Sequence, residues 1–464
     1  MLTENSSKTI SAKTKTAKPL PKVSGGWFMK NSLDVKKDII GFVEKNQKLH
    51  GDIFRTEVIS HSLCFTTNPD YVKYILQENN RNYIKSFGYE VLKIFLGNGL
   101  LTSEGDFWRQ QRRLAQPAFH REKLEALTKQ MTASAEKLVQ KWKNKYNYGG
   151  VITITDEMNE VTLDIVAEAL FGVNVSGKLE EIRNAVSVSN HFAMDRIKRA
   201  VRIPLWFPTP ANRQFNSESK KFDKMIYGII DSRRNESDKH NDLLSMLMGA
   251  QDEETGERMS DLQLRDEIMT IFIAGHETTA IALSWLWFLL SQNPEAEEKL
   301  RNELKTVLNG KTPSFEDLPK LKYTKMVVEE TLRLYPPAWI VGRRPLEDDV
   351  VGGYLLPKGI NVLMVSYLIH RHPDYWENPN KFEPERFSPE RAASIKKYSY
   401  FPFGGGPRLC IGNNFAMMEA QLVVATILQH FHFTMAQNSV PLLEPLITLR
   451  PQGGIKMNIL KSNK

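Results

Sequence analysis

The stretch IMTIFIAGHETTAIALSWLWFLL, residues 268–290, constrains the fold more than any other. It is long and apolar enough to cross a bilayer as a helix. Yet Gly275, His276, Glu277, Thr278 and Thr279 lie in its middle, and an ionisable side chain there is costly against lipid. A helix that is apolar on all sides and not in lipid must be enclosed by other protein elements. The polar interruption then sits inside the protein, where it needs a purpose. At 464 residues the chain is long enough for several average domains or for one large one with a substantial core.

The rest of the chain supplies an enclosure. Residues 51–67 read as short strands rich in β-branched and aromatic side chains. From about 69 to 335 the pattern is helical, with apolar residues three and four apart in 122–145, 157–172 and 294–308. Proline-rich turns and short strands follow, as in DDVVGGYLLPKGINVLMVSYLIH; one more long helix covers 413–431, and PLITLRPQGGIKMNIL closes with strands. No internal repeat or low-complexity linker divides the body. The expectation is a mainly α domain over 26–464 with a smaller β-rich lobe built from both ends.

Charge excludes some partners. The net charge is +8, but residues 1–30 hold six lysines against Glu4, so the body is close to neutral and a nucleic-acid surface is not indicated. Residues 1–25 have no apolar core like that of a signal peptide or anchor and no arginine of the transit-peptide kind; they read as a disordered basic tail. The two cysteines, Cys64 and Cys410, exclude a disulfide framework and fit a reducing, cytoplasmic compartment.

Cys410 lies in FPFGGGPRLCIG, residues 401–412. It could be a small buried hydrophobe, a nucleophile or a metal ligand. The loop offers no His or Lys to activate a nucleophile, and no CxxC or CxxH spacing suits zinc. An axial thiolate on haem iron suits it better. Gly404, Gly405 and Gly406 permit a tight turn and close approach to a flat ligand. The start of a helix stabilises a thiolate, Arg408 can reach a haem propionate, and Phe403 can pack on the macrocycle.

Phe403, Gly406, Arg408, Cys410 and Gly412 match every position of the Phe-x-x-Gly-x-Arg-x-Cys-x-Gly signature of the cytochrome P-450 family, which the chain resembles from about residue 35 to its end. The resemblance implies the P-450 fold, haem b (iron protoporphyrin IX) bound through Cys410, and insertion of one atom of O2 into an organic substrate. AGHETT at 274–279 is similar to the family's oxygen-activating segment. There the Thr278 hydroxyl can bond the Ala274 carbonyl and open the helix, Gly275 leaves room beside the iron, Glu277 relays protons from solvent, and Thr278 orients water. HExxH is excluded, since position 280 is Ala.

Three further matches have the family's spacing. Glu330 and Arg333 resemble Glu-x-x-Arg, with Arg386 of FEPERF as the third member of a structural trio that has no part in the chemistry. Trp108 and Arg112 resemble the propionate-binding Trp-x-x-x-Arg, and Arg343 occupies another propionate position. His120 reads as a surface residue. Substrate contacts are implied at Phe87, Tyr89, Val91, Leu92, Ile271, Phe272, Ala274, Ala338, Ile340, Leu446 and Ile447, mostly apolar, so the substrate is expected to be lipophilic: fatty-acid, terpenoid or steroid-like.

The electrons must come from outside this chain, which has neither a nucleotide-binding GxGxxG segment nor an iron–sulfur cysteine spacing. The resemblance implies a ferredoxin or flavodoxin with an NAD(P)H reductase, docking near the cysteine loop with Arg109 and Arg113 as attractors. Two rival readings are a haem-thiolate isomerase or peroxygenase, against which Glu277 and Thr278 argue, and a non-catalytic haem sensor, for which a large apolar pocket has no use.

Overall fold

The computed structural model describes residues 16–23, 28–58, 61–146, 149–170, 172, 179–199, 203–234, 242–252, 254–436 and 440–461. Among them the helices of ten residues or more are α1 (Phe28–Lys37), α2 (Ile39–His50), α3 (Phe87–Leu96), α4 (Gly105–Ala115), α5 (Arg121–Tyr146), α6 (Ile154–Ile165), α7 (Leu179–Lys198), α8 (Pro210–Arg234), α9 (Asp261–Gln292), α10 (Pro294–Val307), α11 (Lys322–Leu334) and α12 (Asn413–Leu428).

The apolar run at 268–290 is the body of α9, about 48 Å long at 1.5 Å per residue. It starts at a capping box: Ser260 accepts from the Gln263 N–H, and Gln263 accepts from the Ser260 N–H at 2.7 Å. Helices α6, α8, α11 and α12 enclose it. Trp285 and Trp287 are fully buried. Trp285 stacks on Tyr335 at 4.0 Å and donates its indole N–H to the Leu449 carbonyl at 3.1 Å. No helix among the described residues is long and apolar enough to cross a membrane. The helix expected over 157–172 is α6 to Ile165 and a π-helical turn over Val166–Leu170 beyond it.

The β lobe is a five-stranded sheet in the order β2 (Ile53–Val58), β3 (His61–Thr66), β9 (Asn361–Met364), β6 (Val341–Pro345), β4 (Tyr83–Lys85). Only β3 and β9 run parallel; the other pairs are antiparallel. The sheet joins strands from before residue 86 to strands from after residue 340, as the expected lobe from both ends requires, but the extreme C-terminal strands lie outside it. Strand β10 (Phe431–Met435) pairs with β13 (Lys456–Lys461), which pairs with β5 (Val151–Thr153), and β11 (Leu443–Pro445) forms a hairpin with β12 (Leu449–Pro451). The expected tail over 1–25 is also too long. Strand β1 (Lys18–Pro19) pairs in parallel with β8 (Tyr354–Leu356), which also pairs with β7 (Asp349–Val351), and Leu20 and Val23 are buried, because apolar side chains in the LPKV segment repay its ordering. Residues 1–15 and 24–25 of that expectation lie outside the described residues.

Glu330, Arg333 and Arg386 meet as expected. Arg333 and Glu330 are both completely buried and form a two-pronged pair, 2.7 Å at each prong. The remaining Arg333 hydrogens go to the carbonyls of His370, Pro379 and Lys381, at 2.7–3.0 Å, so all five donors are used. Arg386 Nε lies 3.4 Å from Glu330 Oε1. Burial, helped by the Arg333 and Arg371 charges, pushes His370 down to about 3, and its neutral ring accepts the Phe401 N–H at 3.0 Å. Phe401 is the entry to the cysteine loop.

A second clamp joins the sheet to the same segment. Asp52 accepts from Gln47, Thr67, Asn68 and His372 at 3.0–3.2 Å. Burial alone would raise this carboxyl, but the hydrogen bonds from His372, Gln47 and Asn68 bring it down to about 2. A carboxylate lowered on folding stabilises above its ordinary value of 3.8, and the gain is lost as pH falls through about 2. Asp52→Asn is therefore expected to cost about 2 kcal/mol at neutral pH. Urea unfolding of mutant and parent between neutral and acidic pH should show that difference closing on the acid side.

Candidate functional site

One cavity of about 760 Å³ runs from the cysteine loop to the α9 interruption. Its first wall is the loop itself. Gly404 and Gly406 have φ of +75° and +65°. A Cβ on Gly406 would collide with the Leu76 carbonyl oxygen, and one on Gly405 with the Tyr398 ring. Both glycines let the loop lie flat on its neighbours, and Gly406 itself does not line the cavity as expected; Phe403, Gly404, Gly405, Arg408, Cys410 and Gly412 do. The Cys410 N–H donates to the Phe403 carbonyl at 3.0 Å, and Arg112 donates to the Leu409 carbonyl at 2.9 Å. Gly412 caps α12. Burial pushes the Cys410 thiol up, while the Gly412 N–H and the Arg112 charge act to lower it. Cys64 is different: burial alone pushes it up to about 12, and it is core.

The rim is cationic. The sheet register sets Lys85 directly opposite Arg343. Arg408 lies 3.7 Å over the Trp108 ring, donates to the Ser103 carbonyl at 2.9 Å and pairs with Glu104. Burial, then the Arg408 and Arg343 charges, push the Lys85 ammonium well below its usual range. Burial brings Arg408 down to about 10, with Arg343 adding to the effect and Glu104 opposing it. Lys85, Trp108, Arg112, Arg343 and Arg408 all line the cavity. Two buried cations, Lys85 and Arg343, and the half-buried Arg408, with Glu104 paired among them, call for an anionic ligand. The loop carrying Ser103 and Glu104 is hung from α9: Asp266 accepts the Asn98 N–H at 2.6 Å and Glu267 the Leu100 N–H at 3.0 Å. Burial raises Glu267 to about 8.

The facing wall is α9. Thr278 donates to the Ala274 carbonyl at 2.7 Å, as expected, and Thr279 to the Gly275 carbonyl at 3.1 Å. Gly275 lines the cavity, and because a Cβ there would meet Val166 Cγ2 at 3.2 Å, its missing side chain also allows close packing against the π turn after α6. Glu277 is not an open relay to solvent. Its carboxylate accepts from Asn190 at 2.7 Å, Thr448 at 2.5 Å and Arg450 at 2.6 and 3.1 Å. Burial would raise it, but the Arg450 charge and the Thr448 hydroxyl hold it below the usual carboxylate range. The side chains of Glu277 and Arg450 are 6% and 21% exposed, and Glu277 lines the cavity together with its partners Asn190 and Thr448.

The apolar contacts fall mostly where expected: Phe87, Tyr89, Leu92, Ile271, Ala338, Ile340, Leu446 and Ile447 line the cavity. Val91 and Phe272 do not. Each is one helical step of 100° from a lining neighbour, and Phe272 packs instead on Phe222 at 5.5 Å. Arg109 and Arg113 are not free attractors, since Arg109 pairs with Asp106, and Arg113 with Asp252 and Glu254. His120 is exposed. The sequence reading missed Lys85, Glu104, Asn190, Thr448 and Arg450. YIKS, ending a short strand, was the one local hint, and the others are placed by long-range contacts.

The residues fit haem. Among the described residues no cluster of three His, Cys, Asp or Glu side chains could hold a bare ion, so iron at Cys410 must bring other ligands with it. A thiol, a flat glycine-bedded floor and a cationic rim match that group's axial site, face and carboxylates.

A family model for cytochrome P450 matches residues 19–459. Cyclooctatin synthase of Streptomyces melanosporofaciens is 37% identical over 381 residues, 82% of this chain and 82% of that protein. Pentalenene oxygenase of Streptomyces avermitilis is 32% identical over 406 residues, 87% of each. Cytokinin hydroxylase of Arabidopsis thaliana is 35% identical over 421 residues, 86% of this chain and 79% of that protein.

Removing Arg450 leaves a buried carboxylate without its counter-charge. Arg450→Leu is expected to destabilise the fold by about 3 kcal/mol, measured by urea unfolding. Adding Glu277→Gln should recover much of that loss, because the stranded charge is then gone.

Proposed function

The chain belongs to the cytochrome P450 family and is a haem-thiolate monooxygenase, and within that class we propose that it oxidises a bulky apolar hydrocarbon skeleton of the terpenoid kind, by hydroxylation or epoxidation. Support comes from the almost wholly apolar walls above the Ala274–Thr278 segment and from the named substrates of its relatives. The observation that carries the reading is one cavity with Cys410 on one wall, Ala274 and Thr278 on the other, and buried cations at its rim.

The cofactor is haem; haem b is the form we propose, and Cys410 would ligate its iron while Lys85, Arg343, Arg408 and Trp108 would hold its propionates. When bound, it supplies dioxygen binding and reduction at iron. The protein's part is then positional and protonic. Phe403 and the glycine loop would bed the group, and Arg112 fixes the loop through Leu409. Thr278, already bonded to the Ala274 carbonyl, presents its hydroxyl oxygen to a water in the cavity. Glu277 is held ionised and takes or returns a proton at Oε2, the oxygen shared with Asn190 rather than with Arg450. The aliphatic and aromatic walls exclude bulk water and set which carbon approaches.

The family needs an electron donor. A ferredoxin or flavodoxin with an NAD(P)H reductase is the donor we propose, meeting the outer face of the cysteine loop, where Leu409 is exposed. A cytoplasmic setting accords with the thiols.

Labelled dioxygen tests the reaction: with donor present, one ¹⁸O atom should enter the product, and label arriving only from water would sink the reading. Thr278→Ala should keep consuming NAD(P)H while product per reducing equivalent falls about 10- to 100-fold. Unchanged coupling would favour an isomerase or peroxygenase.

A further inference from the structure

Ser189 carries a hydroxyl that nothing in the fold uses. The residue is 2% exposed, and its buried Oγ has no hydrogen-bond partner among the described residues. A serine inside a helix can bond the carbonyl four residues back; this one does not. Its place in α7 shows where it points. Ser189, Asn190, Ala193, Met194, Ile197 and Lys198 line the cavity, and steps of three and four between them mark one face of the helix. Phe192 lies off that face and stacks on Phe215 of α8 at 4.2 Å. The stripe begins at the exposed Lys198 and is apolar through Ile197, Met194 and Ala193. It ends about 13 Å further along the helix, at the polar pair Ser189 and Asn190.

The neighbouring hydroxyls at that end are already used. Thr278 and Thr279 donate to the Ala274 and Gly275 carbonyls, and Thr448 donates to Glu277. Thr270 also lines the cavity with an unpartnered hydroxyl. A Cβ on Gly99 would lie 2.3 Å from that oxygen, however, so it packs against the 98–104 loop and not against the open space. Asn190 complements Ser189. With its amide nitrogen on Glu277 at 2.7 Å, its carbonyl oxygen is left to accept, and the carboxylate beyond polarises the amide in the sense that strengthens that acceptor.

We propose that Ser189 and Asn190 seat a hydroxyl already present on the substrate, Ser189 Oγ donating to its oxygen and Asn190 Oδ1 accepting its hydrogen. This rests on the terpenoid substrate proposed above and narrows it to a terpene alcohol. A hydrocarbon guest leaves the serine hydroxyl buried and unsatisfied, which is costly; an alcohol satisfies it and is satisfied in return. Asn190 is bonded to Glu277, and Glu277 adjoins Thr278 on α9, so the seat holds the existing oxygen beside the polar interruption. The carbon oxidised here is then a second one, set apart from the first by the rigid skeleton. The substrate must come from an earlier oxygenation of the hydrocarbon, or from a cyclisation whose last cation is captured by water.

Spin-state titration of the ferric holoenzyme tests this, with terpene alcohols each paired with the parent hydrocarbon: cedrol with cedrane, and dehydroabietinol with dehydroabietane. Desolvation alone favours the hydrocarbon. Each alcohol should nevertheless bind about 10-fold more tightly than its partner. Ser189→Ala should erase most of that preference by weakening the alcohol, with the hydrocarbon Kd kept within about twofold and the melting temperature and carbon-monoxide spectrum unchanged. A serine with only a structural role would shift both members of a pair together. Equal affinities within the pairs, the result expected if a bound water already serves Ser189, overturn the inference and leave the terpenoid reading standing. So does a Ser189→Ala loss shared by both members. If no member of either pair binds, the terpenoid reading falls and this inference falls with it.

Discussion

A single guanidinium organises the approach to the chemistry. Arg333 gives all five of its hydrogens to buried acceptors, two on Glu330 and three on backbone carbonyls between His370 and Lys381. An arginine this deep is costly unless every donor is used, so the surrounding backbone has essentially one arrangement open to it. From there the order passes to His370, to the Phe401 N–H and into the turn that carries Cys410. The turn that carries the thiol is thus braced by the Glu330–Arg333 pair, which lies well upstream of Cys410 in sequence.

Two further features act in the same indirect way. Helix α9 faces the cavity with Thr278, and one end of it also suspends the 98–104 loop through Asp266 and Glu267. That loop supplies the acceptors for Arg408. The sheet contributes by register alone, since pairing β4 with β6 puts Lys85 across from Arg343. The site is therefore a meeting of a helix, a sheet edge and a loop, each carrying one kind of group: hydroxyl and carboxylate, cations, and a thiol.

Much of this was legible in the sequence where the chemistry is local. The cysteine loop, the Ala274–Thr279 segment and Glu330 with Arg333 each have partners within a few residues, so spacing reveals them, whereas Trp108 and Arg112 share a helix but meet Arg408 and the Leu409 carbonyl. Arg343 and Arg386 were reachable through resemblance. Residues defined by contacts across the chain left no such trace. Arg450 meets Glu277 from a hairpin 173 positions away, and Glu104 reaches Arg408 from 304 away. Helical phase produced the other errors: Val91 and Phe272 have the right composition for a pocket wall and the wrong angle. The N-terminal segment was read as free although four residues of it, Leu20–Val23, carry enough apolar surface to pack.

The hairpin of β11 and β12 has a double allegiance. Its turn places Leu446 and Ile447 against whatever fills the cavity, while Thr448 and Arg450, one and three residues on, grip Glu277. Shape and acidity are consequently geared together. Any change of side chain at Leu446 or Ile447 that reshapes the cavity wall is therefore made on the same short ribbon that holds the carboxylate's partners in place.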